Sequence, residues 1–340
     1  MTAPDPRANP HLVGHAAAEA ALAEAVRAGR LHHAWLITGP PGIGKATLAF
    51  RFARRLLAGG AGDDLFLPES HPVFRRVAAG THADLLTIER EWDPKRKKLR
   101  GEIVVADARG IPEFLHLTPA EGGWRVVVVD GAEDLNQQAA NAVLKMLEEP
   151  PPRTVLLLAC AAPGRLLPTI RSRCRRLRLS PLTDAEVAAL LDRYQPGLDP
   201  AERDRLAGLA EGSPGRALAL AAGDGVKLAG LVSEVLENLP RLDTGRAHGV
   251  ADALGRDDEA FSTFMDMLRT AVAAAVRDAA RGCADPGQIR LIGARPLDAW
   301  VDVWHGLCRL QDETEAFHLD RRQAIVTGLT LLAGNATRVP

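Results

Sequence analysis

The feature that most constrains the fold is a glycine-rich segment at residues 39–45, which reads Gly-Pro-Pro-Gly-Ile-Gly-Lys. It follows a short apolar run at 34–38 and precedes residues 45–57, whose apolar side chains recur at helical spacing. A glycine-rich turn between a strand and a helix is the pattern of a P-loop, where backbone N–H groups and a lysine hold phosphates. The positions that this pattern assigns to nucleotide binding are Gly39, Gly42, Gly44 and Lys45.

The rest of the N-terminal half alternates between strand-like and helix-like segments. Residues 126–129 are four consecutive valines, a run typical of a parallel strand that is buried on both faces. Such alternation predicts an α/β fold with a doubly wound parallel sheet. We predict further strands over 84–88, 154–160 and 176–179, and helices over 107–117, capped by Asp107, and over 136–149.

After residue 180 the pattern becomes helical. Residues 183–186 form a capping box, Thr-Asp-Ala-Glu, and 212–215 read Gly-Ser-Pro-Gly, a sharp turn between two helices. The longest predicted helices cover 261–281 and 297–318. We therefore predict domain boundaries near 180 and 224.

The P-loop lacks a group that Mg²⁺ chemistry needs. The residue after Lys45 should be Ser or Thr, whose hydroxyl binds Mg²⁺, but it is Ala46. Thr47 follows, and one helical step of about 100° turns its hydroxyl away from that position. Asp130, which ends the valine run, resembles the Walker B carboxylate that holds Mg²⁺. Thr47 and Asp130 therefore complete the candidate nucleotide site, which is degenerate.

Several segments resemble the clamp-loader subunits of bacterial DNA polymerase III, which are AAA+ proteins. They are residues 32–36 (His-His-Ala-Trp-Leu), 141–151 (Asn-Ala-Val-Leu-Lys-Met-Leu-Glu-Glu-Pro-Pro), 168–174 with its Ser-Arg-Cys motif, and 212–218 (Gly-Ser-Pro-Gly-Arg-Ala-Leu). The resemblance covers nearly the whole chain. It implies an AAA+ P-loop domain at 1–180, a small helical lid domain at 181–223 and an all-α collar for oligomerisation at 224–340.

The resemblance also implies that the site is damaged. AAA+ ATPases usually carry a water-activating Glu after the Walker B Asp, and Gly131 stands there. Glu133 is an alternative base, although we expect it in a solvated turn. The polar sensor position near 160–162 reads Cys-Ala-Ala, and Gly215 occupies the place of the second sensor arginine, with Arg216 one step later. Within the family, such decay is more similar to the delta-prime branch than to the gamma branch.

In such subunits the arginine of the Ser-Arg-Cys motif reaches the ATP of a neighbouring subunit, and Arg173 matches it. Arginine suits that task because it is always charged and presents several donors in one plane. The motif stands toward the C-terminal end of the sheet region. The implied partners are the gamma/tau and delta subunits, the sliding clamp and primed DNA, in the cytoplasm.

Three functions remain open: a structural and regulatory subunit that offers Arg173, an active P-loop ATPase that works through Asp130, and a nucleotide-binding switch without turnover. No cofactor is certain, and residual ATP or ADP binding is compatible with the loop. Residues 57–125 contain no cysteine, so the four-cysteine zinc module of the family is not expected, and we predict no metal site.

Composition excludes some classes of protein. The 340 residues carry a formal net charge of -1, so a chain that grips nucleic acid by overall charge is not favoured. The densest basic run, at 93–100, is expected to form a solvated hairpin loop, with phosphate contact as the alternative. We find no apolar run of about 18 residues, so no membrane contact is expected.

Overall fold

A computed structural model describes residues 4–60, 64–94, 98–121, 123–239, 243–254 and 257–334. The chain divides into two compact units. One comprises Thr2–Leu190 with Gly212–Arg216, and the other comprises Leu191–Glu211 with Ala217–Pro340. The three domains drawn from the sequence, with boundaries near 180 and 224, stay a prediction.

The first unit contains a five-stranded parallel sheet in the order β2-β5-β6-β1-β7. The strands are β1 (Ala34–Thr38), β2 (Leu85–Ile88), β3 (Trp92–Asp93), β4 (Lys98–Leu99), β5 (Arg125–Asp130), β6 (Thr154–Cys160) and β7 (Arg175–Arg178). Its helices are α1 (Ala16–Arg27), α2 (Lys45–Leu57), α3 (Pro72–Ala78), α4 (Val105–Ala108), α5 (Gly110–His116), α6 (Gln137–Glu148) and α7 (Pro168–Arg173). Helices connect the parallel strands, which confirms the predicted α/β fold class with a doubly wound parallel sheet.

The central strands are buried on both faces, as their unbroken apolar sequences predict. On one face, alternate residues of β1, β5 and β6 pack with buried residues of α4, α5, α6 and α7. On the other face, α2 lies against β1, β5 and β6. Successive side chains of a strand point to opposite faces of the sheet, so one apolar run contributes to the core on both faces.

Two local predictions need correction or refinement. Asp107 does not cap a helix over 107–117, because the helix already begins at Val105. Asp107 stands in its first turn and accepts a hydrogen bond from the Val104 N–H, 2.9 Å away. The helical run then divides at Arg109 into α4 and α5.

The two ends of the basic run lie in β3 and β4, which pair in antiparallel fashion, as the predicted hairpin requires. Trp92 and Leu99 face each other in this pair and are both exposed. Residues 95–97, which carry much of the charge, lie outside the described residues.

The helices of the second unit confirm the predicted helical C-terminal region. They are α9 (Pro200–Leu209), α11 (Gly225–Asn238), α12 (Thr244–Leu254), α13 (Asp258–Arg281), α14 (Pro286–Ile292), α15 (Leu297–Phe317) and α16 (Arg321–Ala333). The division between the units passes through α8 (Asp184–Tyr194) and α10 (Pro214–Ala222). Trp300 is buried and donates to the Ile292 carbonyl, whereas Trp304 is partly exposed. Within the described ranges, no helix is both long and apolar enough to cross a bilayer.

Candidate functional site

The residues predicted for nucleotide binding meet at one edge of the sheet. The P-loop follows the end of β1, Asp130 ends β5, and Cys160 ends β6, which lies between those two strands. Carboxyl ends of parallel strands share an edge, so the topology brings these groups together. We call this edge, with residues 39–47 and 130–133, the P-loop edge.

The backbone carbonyls of the P-loop are held by hydrogen bonds. Gly39, Gly42 and Gly44 have φ values of 154°, 71° and 106°, a region that favours glycine. Every carbonyl from residue 39 to residue 44 accepts a hydrogen bond. The donors are the Lys45 ammonium to Gly39 (2.9 Å) and Pro40 (2.7 Å), Ser213 Oγ to Pro41 (2.8 Å), the Gly215 N–H to Gly42 (2.9 Å), His15 Nε2 to Ile43 (2.9 Å) and the Leu48 N–H to Gly44 (2.9 Å).

The turn at 212–216 lies directly on this loop. A Cβ on Gly42 would come within 2.5 Å of Ser213 Oγ, and a Cβ on Gly215 would come within 2.8 Å of the Gly42 Cα. Two backbones can approach this closely only where both residues are glycine. Gly215, at the place of the sensor arginine, is therefore a packing residue here, and Arg216 follows it with its N–H directed to Ser213 Oγ.

Lys45 is mostly buried and bound to its own loop. Its ammonium donates to two loop carbonyls, and these bonds occupy two of its three N–H donors. Burial lowers the pKa of Lys45, while the nearby carboxylates of Glu133 and Asp130 act in the opposite direction. The lysine is thus at the predicted position, but it is engaged.

The metal-binding positions at this edge are incomplete. Ala46 lies in the first turn of α2 without an oxygen, and Thr47, one residue on, is buried in the same helix. Asp130 stands at the end of β5, where burial and the charge of Glu89 raise its pKa. Gly131 adopts φ 80°, so a glutamate there would also meet backbone strain of about 1–2 kcal/mol.

Glu133 does not lie in a solvated turn, and that expectation was wrong. It is half-buried in a 3-10 turn, and its Oε1 accepts from the Ala161 N–H at 2.9 Å. The Cys160 thiol, at the end of β6, is close enough for the charge of this carboxylate to act on it. Burial and the charge of Glu133 raise the pKa of Cys160 to about 12, so this thiol stays protonated. Glu133 connects the end of β5 to the end of β6.

These groups do not fit a hydrolytic Mg²⁺–ATP site. The hydroxyl that would hold Mg²⁺ is missing at Ala46, and the base is missing at Gly131. Glu133, the substitute carboxylate, accepts from the Ala161 N–H through Oε1, while its buried Oε2 has no hydrogen-bond partner within the described residues. Among the described residues, no group of three or more His, Cys, Asp or Glu side chains is arranged to hold a metal ion.

The Ser-Arg-Cys motif shows a different arrangement. Ser172 Oγ donates to the Thr169 carbonyl at 3.0 Å, which helps to close the last turn of α7. Cys174 is buried in the core, and burial raises its pKa to about 12. Arg173, between them, has a side chain that is 38% exposed. Its guanidinium contacts the Glu148 carboxylate at 2.9 Å and the Thr169 carbonyl at 3.2 Å.

Arg173 lies at the opposite edge of the sheet from the P-loop. It directly precedes β7, whose first residue, Arg175, pairs with Trp35 near the start of β1. The P-loop follows the other end of β1, about 13 Å further along the strand. The motif is late in the sheet region of the sequence but stands at the amino-terminal edge of the strands. Arg173 is therefore placed away from its own P-loop.

Sequence reasoning missed three residues of these two edges. They are His15, Ser213 and Glu148, whose partners are distant in the sequence. Ser213, for example, bonds a residue 172 positions away. The signal that was available is the Gly-Ser-Pro-Gly segment, whose two glycines permit close backbone contact.

The fold and the loop define an α/β P-loop protein. Residues 14–183, half of the chain, match the family described as DNA polymerase III, delta subunit. The chain belongs to this family.

Curated relatives are subunits of DNA polymerase III. The chain is 41% identical over 191 residues to subunit delta' of Pseudomonas aeruginosa, which covers 54% of this chain and 53% of that protein. It is 38% identical over 213 residues to subunit delta' of Escherichia coli, covering 60% and 58%. It is 31% identical over 256 residues to subunit tau of Escherichia coli, covering 72% and 37%. The matches thus span little more than half the length of these two delta' proteins.

Among solved structures, the chain is similar to a gamma subunit-related protein of Thermotoga maritima. The TM-score is 0.45 at 19% identity, over 92% of this chain and 98% of that one.

Proposed function

We propose that this chain is the delta-prime subunit of a DNA polymerase III clamp loader, which helps to load the sliding clamp onto primed DNA. In this proposal it hydrolyses little or no ATP itself and supplies Arg173 to the ATP site of a neighbouring subunit. The observation that carries the proposal is the contrast between an exposed Ser-Arg-Cys arginine and a P-loop edge without a metal hydroxyl or base. The delta' relatives support it.

The partners in this proposal are the gamma/tau and delta subunits, and through the complex the clamp and primed DNA, in the cytoplasm. The arginine fits a triphosphate because its planar group offers several donors to the oxygens of the transferring phosphate. The helical region from about 224 is assigned to a collar that holds the ring together. In the alternative proposal the chain is an active, gamma-like ATPase.

The test is a reconstituted clamp loader with Arg173→Ala in this subunit. The complex should assemble, because Arg173 is a surface residue, and it should lose part of its DNA- and clamp-stimulated ATPase and load clamps poorly. An arginine finger raises the hydrolysis rate at one ATP site by a factor of about 10³ to 10⁵. The loss in the rate of the whole complex should be smaller, because its other ATP sites keep their own fingers. Arg173→Lys should rescue only in part, because an ammonium lacks the planar fork.

The matched control is Arg176→Ala. Arg175 is less suitable because its guanidinium stacks on Trp35, 4.9 Å from the ring centre, so its removal also removes packing. Arg176 is exposed on the edge strand β7. If Arg173→Ala and Arg176→Ala complexes both hydrolyse ATP and load clamps like the parent, Arg173 is only a surface arginine and the proposal loses its regulatory half.

A further inference from the structure

We propose that Glu148 is a positioning residue for Arg173, which orients the guanidinium before a neighbouring nucleotide is bound. The inference rests on the proposed function and extends it to a residue that had no assigned role. The structure gives a direct contact, in which Glu148 Oε1 lies 2.9 Å from Arg173 Nη2. The Thr169 carbonyl accepts from the other terminal nitrogen, Nη1, at 3.2 Å.

The packing of two helices sets this pair. Glu148 is the last residue of α6 and Arg173 is the last residue of α7, and the two helices pack together. Leu147 and Cys174, the chain neighbours of the pair, are buried in the same core cluster. The backbone of both charged residues is therefore anchored while their side chains reach the surface.

The contacts leave most of the guanidinium available. An arginine has five N–H donors, and the contacts to Glu148 and Thr169 engage one on each terminal nitrogen. Arg173 donates no further hydrogen bond within the part of the chain that the structure describes. Up to three donors in the same plane can then be offered to phosphate oxygens.

Orientation in advance has a kinetic value. A long arginine side chain loses rotamer freedom when it binds a phosphate, and a side chain that is already ordered loses less. The Glu148 side chain is 45% exposed, so solvent weakens the pair. We therefore expect a modest effect of about two- to fivefold, the size that exposed ion pairs contribute.

The test is a double-mutant cycle in the reconstituted complex, with stimulated ATPase as the readout. Glu148→Gln keeps the size of the side chain and removes its charge. It should lower kcat about two- to fivefold and leave KM unchanged, because the finger acts in the transition state. Glu148→Asp, which keeps the charge on a shorter chain, should restore part of the rate.

The decisive arm repeats Glu148→Gln in an Arg173→Ala complex, where it should have no effect. Glu149→Gln is the matched control, since Glu149 is the next residue and is exposed. It should leave the rate unchanged in both backgrounds. Thermal unfolding of each variant subunit should show that the fold is kept.

The outcomes separate the two levels of the proposal. If Arg173→Ala lowers the rate but Glu148→Gln does not, or if Glu148→Gln lowers it equally in both backgrounds, the positioning role is overturned and the proposed function stands. If Arg173→Ala has no effect, the positioning role falls together with the regulatory half of the proposed function.

Discussion

The two edges of the parallel sheet differ in what their side chains can do. At the P-loop edge, every carbonyl from residue 39 to residue 44 is bonded within the chain and Lys45 donates to its own loop. Ala46 and Gly131 provide no side-chain oxygen at the metal and base positions. At the amino-terminal edge, Ser172 and Cys174 are used locally and Arg173 is exposed.

The two edges therefore fit the proposed division of roles, in which the P-loop edge is structural and Arg173 acts on a neighbouring subunit. The P-loop edge retains a structural task, because it receives the turn at 212–216 and the side chain of His15. Gly42 and Gly215 permit the close packing of the loop against the turn. In the arginine motif, Ser172 and Cys174 are used within the chain, but the Arg173 side chain is 38% exposed, so it is the better candidate for contact with another chain.

The largest expected effect is the absence of ATP turnover in the isolated chain. A general base contributes about 10² to 10⁴ in rate, and loss of the Mg²⁺ hydroxyl lowers it further. Steady-state phosphate release should therefore stay at the level of a Lys45→Ala control. Ala46→Thr alone should not restore it, because the base is still missing.

This prediction can fail in an informative way. If the isolated chain hydrolyses ATP and Glu133→Gln abolishes the activity, Glu133 is a working base and the two edges are both active. The gamma-like alternative would then be correct.

A second prediction concerns a property that the two edges share, their protected thiols. Burial raises the pKa values of Cys160 and Cys174 to about 12, so at pH 8 only about 10⁻⁴ of each is thiolate. Iodoacetamide should label exposed Cys283 in the folded protein and reach Cys160 and Cys174 only after denaturation. As pH rises toward 12, their labelling should increase. Fast labelling of Cys174 at pH 8 would mean that the motif is not anchored in the core.

A third prediction separates the edges by stability. Gly215→Ala places a methyl group within 2.8 Å of the Gly42 backbone, so it should destabilise the first unit by about 1–3 kcal/mol. Gly110→Ala is the control, because nothing lies within 4 Å of its Cβ position and alanine favours a helix. Urea unfolding followed by circular dichroism measures both. An unchanged midpoint for Gly215→Ala would show that the turn is not docked on the P-loop.

Much of the fold could be predicted from local sequence. The strand over 154–160 agrees at both ends with β6, and Asn136 caps α6 through its side chain, because apolar runs and caps are local signals. Asp107 was misassigned since a carboxylate can cap a helix or bond back from its first turn, and only the backbone decides.

The site could be predicted only where one segment carries it. Residues 39–45 and Ser-Arg-Cys are continuous motifs, so their positions were found. The roles of Glu133 and Glu148 depend on partners at 161 and 173, and the packing of the sheet brings those together. The spacing of the sequence does not show which of the neighbours Glu148 and Glu149 contacts Arg173.

The most direct test of the central claim measures the ATPase rate of the reconstituted complex in the presence of clamp and primed DNA. It compares Lys45→Ala with Arg173→Ala in this subunit. The account predicts that Lys45→Ala leaves the stimulated ATPase rate close to that of the parent, while Arg173→Ala lowers it. The reverse result, with a rate that depends on Lys45 and not on Arg173, would contradict the account and make the P-loop edge the working site.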